Sequence, residues 1–246
     1  MSILVVGATG ATGRRVVEQL LERNQQVKVM VRSKEKILSL QNSNLTIVES
    51  SVLNLSSDEL AAHVKDCESV VCCLGHTISF SGMYGKPRYL VRDSISRLCD
   101  AVIANGSSKK TKFILMNSNG ADNPDGSDPR RSFGDRMVLA LVRLLVPPHR
   151  DNEASGVYLS KTIGSQNPLV EWVAVRPGNL TDDEHVHPYE LTASSPVSAI
   201  FGDGSISGPS VAASMVELLT NEETWNTWKF KFPVVLTPKT NQNKDG

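Results

Sequence analysis

Four apolar residues, Ile3-Leu4-Val5-Val6, run directly into Gly7-Ala8-Thr9-Gly10-Ala11-Thr12-Gly13. An amphipathic stretch follows in which Val16, Val17, Leu20 and Leu21 share one helical face. Strand, glycine turn and helix in this order predict the opening βαβ unit of a dinucleotide-binding sheet. The reason is steric. Gly7 permits the sharp exit from the strand, Gly10 lets backbone approach a pyrophosphate, and Gly13 lets the helix pack close to the sheet. The N–H groups at the helix start then point at the phosphates, and the helix dipole favours their negative charge. A glycine-rich turn without a ligand is the competing reading.

The second apolar run, Val27-Lys28-Val29-Met30-Val31, ends at Arg32-Ser33-Lys34. A chain selective for NAD carries Asp or Glu about 20 residues after the glycines, to accept from the ribose 2′-OH. Here the position holds Arg32, with Lys34 and Lys36 behind it. A guanidinium grips a 2′-phosphate through paired hydrogen bonds, whereas a carboxylate repels it. The expected cofactor is therefore NADP(H) in preference to NAD(H). A solvated basic turn is the alternative.

The 246 residues suffice for one large domain, expected over 1–236, with a polar, aperiodic tail at 237–246. Lys plus Arg number 26 and Asp plus Glu number 26, so bulk charge gives no hold on nucleic acid. No signal-peptide pattern or membrane-length apolar run is visible, which sets the expectation of a cytoplasmic protein without a membrane partner. Cys67, Cys72, Cys73 and Cys99 lack metal-ligand spacing and read as reduced thiols. His185-Val186-His187 places two rings on one side of an extended segment, but no third ligand is near, so no metal site is expected. His76, after Gly75 at a strand end, reads as a polar loop residue that could reach a pocket.

Strands are expected at Ile3–Val6, Val27–Val31, Thr46–Val48, Ser69–Leu74, Phe113–Met116 and Trp172–Val175. Ser56-Ser57-Asp58-Glu59 reads as a capping box opening a helix through Val64. A longer helix is expected over Tyr89–Ile103, with Leu90, Ile95, Leu98 and Val102 facing inward. The β-branched runs suit a doubly wound parallel α/β sheet covered on both faces, with ligands beyond the strand C-termini. Two Gly-, Ser- and Pro-rich segments, 78–88 and 119–136, follow strand C-termini and could wall a pocket. Met137–Val146 is an apolar helical stretch, expected in the core, with a subunit contact as the alternative. Trp225 and Trp228 have helical spacing and are expected to pack a C-terminal helix.

The glycine motif, Val31-Arg32, Asn117-Ser118-Asn119-Gly120 and Val175-Arg176-Pro177-Gly178, in this order, resemble the atypical, extended-like short-chain dehydrogenase/reductases with a single NAD(P)-binding domain. That group includes NmrA-like proteins and biliverdin/flavin reductases. The resemblance covers Met1 to about Pro233. It implies that Thr9, Gly10, Ala11, Thr12 and Gly13 bind the pyrophosphate and that Arg32 and Ser33 meet the 2′-phosphate. It places Ser51 and Val52 beside the adenine, although the family often has Asp where this chain has Ser51. Cys73, Leu74 and Gly75 would line the adenosine ribose side. Ser118 would sit beside the nicotinamide, with Pro177 and Gly178 closing over it.

Short-chain reductases use Tyr-x-x-x-Lys, in which the lysine lowers the tyrosine pKa for proton transfer. This chain has Tyr158-Leu159-Ser160-Lys161, one residue short, though i and i+3 still share a helical face. A solvated surface pair is the competing reading. Glu153 stands about where related members place a polar helix residue over the cofactor, and joins Ser118, Tyr158 and Lys161 as a catalytic candidate. A flavin- or quinone-like acceptor makes little demand on a protein acid. The expectation is therefore an NADPH-dependent reductase of a small planar or carbonyl acceptor, monomeric or homodimeric. A non-catalytic NADP(H) sensor of the NmrA type is the alternative. A nucleotide-sugar epimerase or dehydratase ranks last, because only about 70 residues follow Pro177.

Overall fold

A computed structural model describes residues 1–77, 79–106, 109–198 and 200–238. Position 78, at the start of one expected loop, and positions 239–246 of the expected tail lie outside the described residues.

The apolar runs do become strands. β1 (Ser2–Val6), β2 (Val27–Val31), β3 (Leu45–Glu49), β4 (Cys67–Cys72), β5 (Thr111–Met116) and β6 (Val170–Pro177) pair in parallel in the order β3-β2-β1-β4-β5-β6. The chain runs outward one way from β1 to β3 and then the other way from β4. The crevice between those halves is where an open α/β sheet takes its ligand.

Strand periodicity divides the core in two. Ile3, Val5, Val29, Val71, Ile114 and Val173 point to one face. There α1 (Ala11–Glu22) and α7 (Gly208–Thr220) cover them with Val16, Val17, Leu20, Val211, Met215 and Leu218. Leu4, Val6, Val70, Cys72, Phe113 and Leu115 point to the other, against α2 (Ser57–Val64) and α4 (Leu90–Asn105). The expected capping box opens α2: the Ser56 side chain accepts from the Glu59 N–H while Glu59 Oε2 accepts from the Ser56 N–H at 2.8 Å. On α4 the inward residues are Val91, Ile95, Leu98, Cys99 and Val102, with Leu90 only partly buried.

Several elements depart from the sequence reading. The segment beginning at 78 holds a short helix, α3 (Phe80–Tyr84), and the loop after β5 ends sooner than expected, at the start of α5 (Phe133–Leu145). α6 (Pro147–Val157) follows and runs into a π-helical turn, Tyr158–Ile163. Past β6 come β7 (Asn179–Thr181), β8 (Glu190–Thr192) and β9 (Ser205–Ser207), then α7, α8 (Glu222–Trp228) and β10 (Val234–Leu236). β10 adds to β6 in parallel, and β8 closes the edge antiparallel to β10, so the main sheet has eight strands and is not wholly parallel. Strands of three residues carry too little period-2 pattern to be read alone. Trp225 is buried, and its indole N–H donates to Glu171 Oε2 at 2.8 Å, fastening α8 to β6.

The expectation that Met137–Val146 lies in the core is corrected. On α5, Leu139 is buried, but Phe133, Met137, Leu141, Leu144 and Leu145 are all exposed. α5 packs against α6, which leaves most of its apolar stripe uncovered.

Candidate functional site

The glycine turn is built from backbone contacts that tolerate no side chain at two of its three glycines. Gly7 has φ +79°, and a Cβ there would lie 2.4 Å from the Cys73 carbonyl. At Gly13 a Cβ would lie 2.3 Å from the Gly7 carbonyl oxygen and 3.1 Å from the Cys73 side chain. Cys73 itself is fixed by donating its N–H to Val6 O at 2.9 Å. These two glycines therefore hold β1, β4 and α1 together.

Gly10 differs. A Cβ there would meet only the Gly7 carbonyl oxygen, at 3.4 Å. The fold leaves the space above it open, with Thr9, Gly10 and Ala11 exposed around it. Gly10 is also the N-cap of α1 and offers no side-chain acceptor, and the first turn of the helix has no acid. The leading N–H groups of a twelve-residue helix thus face a cradle that a Cβ would narrow. That arrangement fits a pyrophosphate.

At the neighbouring strand end, Arg32 is exposed and makes no hydrogen bond or ion pair with any described residue. The carboxylates around it are engaged elsewhere. Glu49 Oε1 accepts from the Lys34 N–H at 3.2 Å, and its Oε2 stands 3.8 Å from Lys34 Nζ. Glu35 accepts from the Ser33 hydroxyl, and that bond with its own backbone N–H holds its carboxyl below the usual range. Ser51 opens a turn, its carbonyl accepting from the Asn54 N–H at 2.9 Å, while Val52 is buried in the core. Leu74 is half-buried, and nothing crowds Gly75.

On the other side of the crevice, Ser118 follows β5. Its hydroxyl accepts from the Gly120 N–H at 3.1 Å, and its own N–H donates to Asn117 Oδ1 at 2.9 Å. Pro177 is buried at the end of β6. Gly178 has no room for a side chain, since a Cβ would lie 2.3 Å from Leu236 and 2.8 Å from the Gly204 carbonyl.

The remaining catalytic candidates are not brought together. The Tyr158 hydroxyl turns to Ser96 on α4; burial pushes its pKa up, against the pull of Ser96. Lys161 is exposed and pairs with no described residue, so it is not positioned to lower the tyrosine. The π-helical turn that carries both directs Tyr158 onto the core cluster of α4.

Glu153 does belong to a polar network, with a partner that the sequence reading missed. Arg143 Nε donates to Glu153 Oε1 at 2.7 Å, and His149 Nε2 stands 3.3 Å from the same oxygen without hydrogen-bond alignment. Burial opposes ionisation of Glu153, but His149 and Arg143 outweigh it and keep the carboxyl below its ordinary value. The His149 ring in turn packs on Gly120. A Cβ built there would touch Ser118 Oγ at 3.4 Å, His149 Cε1 at 3.5 Å and His149 Nδ1 at 3.7 Å. Ser118 and His149 therefore flank one spot beside the end of β5. Pro147-Pro148-His149 at a helix start carries no periodic signal that could have singled the imidazole out.

Arg176 organises the space beyond. It is 1% exposed at the end of β6 and grips Asp128 with both terminal nitrogens, at 2.5 and 2.9 Å. It also donates to the carbonyls of Phe232, Ala121 and Ala193, at 2.8, 3.3 and 3.2 Å. Burial opposes the Asp128 charge, yet Arg176, with the Asn123 N–H and Arg131, holds its carboxyl below the usual range. This clamp ties the loop after β5 to the segment after β8 and frames a cavity of about 300 Å³ lined by Asn119, Arg131, Ser132, Ser195 and Ser198.

His76 is drawn away from the cavity, with Nε2 2.8 Å from Asp151 Oδ2 and Nδ1 3.0 Å from the Gly82 carbonyl oxygen. Asp151, fully buried, also accepts from the N–H groups of Val91 and Arg92 and so caps α4. His185 and His187 both close on the Asp183 carboxylate, which their hydrogen bonds hold down to about 2.

A family model described as NAD(P)H-binding matches residues 7–222. The chain belongs to the NAD(P)H-binding family. An uncharacterized chloroplastic protein of Arabidopsis thaliana is 31% identical over 228 residues, covering 90% of this chain and 73% of that one. Among solved structures, the anaerobilin reductase ChuY of Escherichia coli O157:H7 superposes with a TM-score of 0.68 at 18% identity, covering 98% of each chain. A wide-type short-chain dehydrogenase/reductase of Veillonella parvula, in complex with NADP, superposes with a TM-score of 0.67 at 16% identity, covering 97% of this chain and 95% of that one. These likenesses share the Rossmann-type sheet built from β1 to β6.

Proposed function

We propose that this protein is an NADP(H)-dependent reductase of a small planar or carbonyl acceptor of flavin or quinone type. The observation that carries this reading is the polar chamber framed by Arg176 and Asp128, whose lining includes Asn119, just after β5, and Arg176, at the end of β6. A protein that only sensed NADP(H) has no need of a second cavity there. The reductase named among the structural neighbours, and the NADP held by another, agree with this reading.

The residues present fit the dinucleotide. Gly10 and the first N–H groups of α1 would hold the pyrophosphate, and Arg32 the 2′-phosphate. When bound, the reduced nicotinamide supplies a hydride, which the acceptor takes up with one proton, leaving oxidised dinucleotide and the two-electron-reduced product. Ser118 positions the reacting end, and its hydroxyl hydrogen is unused in the Gly120 contact. His149, which packs on Gly120 as Ser118 does and lies 3.3 Å from Glu153, is the group that would relay the proton. Buried free thiols suit a reducing compartment such as the cytoplasm: burial pushes Cys72 up to about 12 and raises Cys67, Cys73 and Cys99 as well.

Titration with NADPH and NADH, followed by tryptophan quenching, tests the cofactor. The expected preference for NADPH is tenfold or more, about 1.4 kcal/mol, and Arg32→Asp should abolish it. Steady NADPH oxidation with a flavin or quinone, with the KM for NADPH raised in Gly10→Ala, tests the chemistry. Tight NADPH binding without turnover of any acceptor would favour the sensor instead.

A further inference from the structure

Resting on that reading, we propose that the acceptor is anionic: a planar, conjugated molecule bearing an acidic group, which Arg130 and Arg136 hold by its charge. The 300 Å³ chamber does not end at Arg131. A second groove of about 580 Å³ shares Asp128, Pro129, Arg130 and Arg131 with it and continues along α5 past Phe133, Arg136 and Met137. The two share this wall: the chamber side is lined mainly by polar side chains, and the groove side is both apolar and basic.

The charges lining these walls are not balanced by one another. Every acid in them already has partners. Asp128 is gripped by Arg176. Asp122 accepts from Arg131 Nε at 2.5 Å and from Arg143 at 3.2 Å. Asp135 accepts from the hydroxyls of Ser198 and Ser132, at 2.5 and 2.9 Å. The guanidinium groups of Arg130 and Arg136 are exposed and make no hydrogen bond or ion pair with any described residue. The uncommitted charge of these walls is thus cationic, with Arg130 lining both spaces and Arg136 the groove.

A guanidinium there suits a carboxylate or phosphate, which it meets with paired hydrogen bonds. The exposed Phe133 ring and Met137 thioether beside it suit a conjugated body. The chamber adds a constraint. The Asn119 amide donates to Ser195 Oγ at 3.1 Å and Ser195 donates onward to the Val197 carbonyl at 2.8 Å, which fixes the amide orientation. Asn119 Oδ1 is then left buried without a donor beside the chamber, where an N–H or O–H of the acceptor can satisfy it. The whole describes a molecule with a hydrogen-bond donor at its reacting end and an acid at the other.

FMN and riboflavin share one ring system, with an N–H, and differ by a phosphate, so they isolate the charge. Their equilibrium binding to the full chain saturated with NADP⁺ is followed by flavin fluorescence, for the wild type and for Arg130→Gln/Arg136→Gln. The expected result is at least tenfold tighter FMN binding by the wild type, and a loss of that preference in the variant through weaker FMN affinity alone. Equal affinities, a preference unmoved by the variant, or no binding of either flavin overturns the proposal. NADPH oxidation is measured separately. Selective FMN binding without turnover refutes the reductase reading and leaves the anionic site standing. Turnover without selectivity does the reverse.

Discussion

The three glycines of the turn should separate into two classes under the same substitution. Gly10→Ala adds a methyl that meets one carbonyl oxygen at 3.4 Å. The backbone at Gly10, φ −79° and ψ 164°, suits alanine. Alanine is a poorer N-cap than glycine by about 0.5 kcal/mol, and the stiffer unfolded chain returns about 0.4–1 kcal/mol. The melting temperature should therefore move by no more than about 2 °C, at roughly 2–4 °C per kcal/mol for a chain of this size. Gly13→Ala is different, since its methyl lies 2.3 Å from the Gly7 oxygen and α1 must shift from the sheet. A loss of about 1–3 kcal/mol from overpacking predicts a fall of about 2–12 °C.

Binding should rank otherwise. The Gly10 methyl occupies the cradle and removes one charge-assisted hydrogen bond to phosphate, worth about 1.5–3 kcal/mol. NADPH should then bind about 10- to 100-fold more weakly to Gly10→Ala, with the fold intact. Calorimetric melting and NADPH titration of both variants check this. If Gly10→Ala binds NADPH as the wild type does, the phosphates do not lie over Gly10 and the assignment of the cradle is wrong.

Four further outcomes follow from the geometry. Arg176→Met leaves Asp128 and three carbonyls without their partner, so it should cost about 3–5 kcal/mol; a melting temperature within 3 °C of wild type would deny Arg176 its role as clamp. Because the Asp128 carboxyl is held below its ordinary value in the fold, its contribution is present above the unfolded value, about pH 4, and fades as pH falls through the folded one. The gap in melting temperature between wild type and Asp128→Asn should accordingly be widest near neutrality and narrow below about pH 4; a gap constant down to pH 3 would contradict this. Steady-state kinetics of His149→Gln should show kcat lowered by about 10²-fold with KM for NADPH unchanged. Tyr158→Phe should leave kcat within about twofold, and a larger loss would return the proton-transfer role to the tyrosine.

Ile3 to Gly13 was legible as a strand, turn and helix because its determinants are local. Steric limits at glycine, a short unbroken apolar run and a 3.6-residue stripe are all properties of near neighbours in the chain. The same holds for the capping box at Ser56, whose two partners are three residues apart. The position of Arg32 near the glycine turn was legible for a related reason: in a parallel βαβ unit, the end of β2 lies beside the end of β1.

Other features depended on where distant segments meet. The residues 176, 128 and 193 have no spacing that predicts one guanidinium binding all three, and β8 and β10 are too short to show a period. The apolar stripe of α5 reads as core in sequence, since hydrophobicity reports that a face is apolar and not what covers it. Tyr158 and Lys161 fit one helical face on paper, yet the π-helical turn and the packing of α4 send the phenol to Ser96. The sequence alone thus determined the six parallel strands β1 to β6 and the open glycine turn, which rest on apolar runs and on backbone sterics between neighbours. Tertiary structure decided the chamber, its clamp and its unpaired arginines, because ion pairs and burial depend on side chains brought together from opposite ends of the chain.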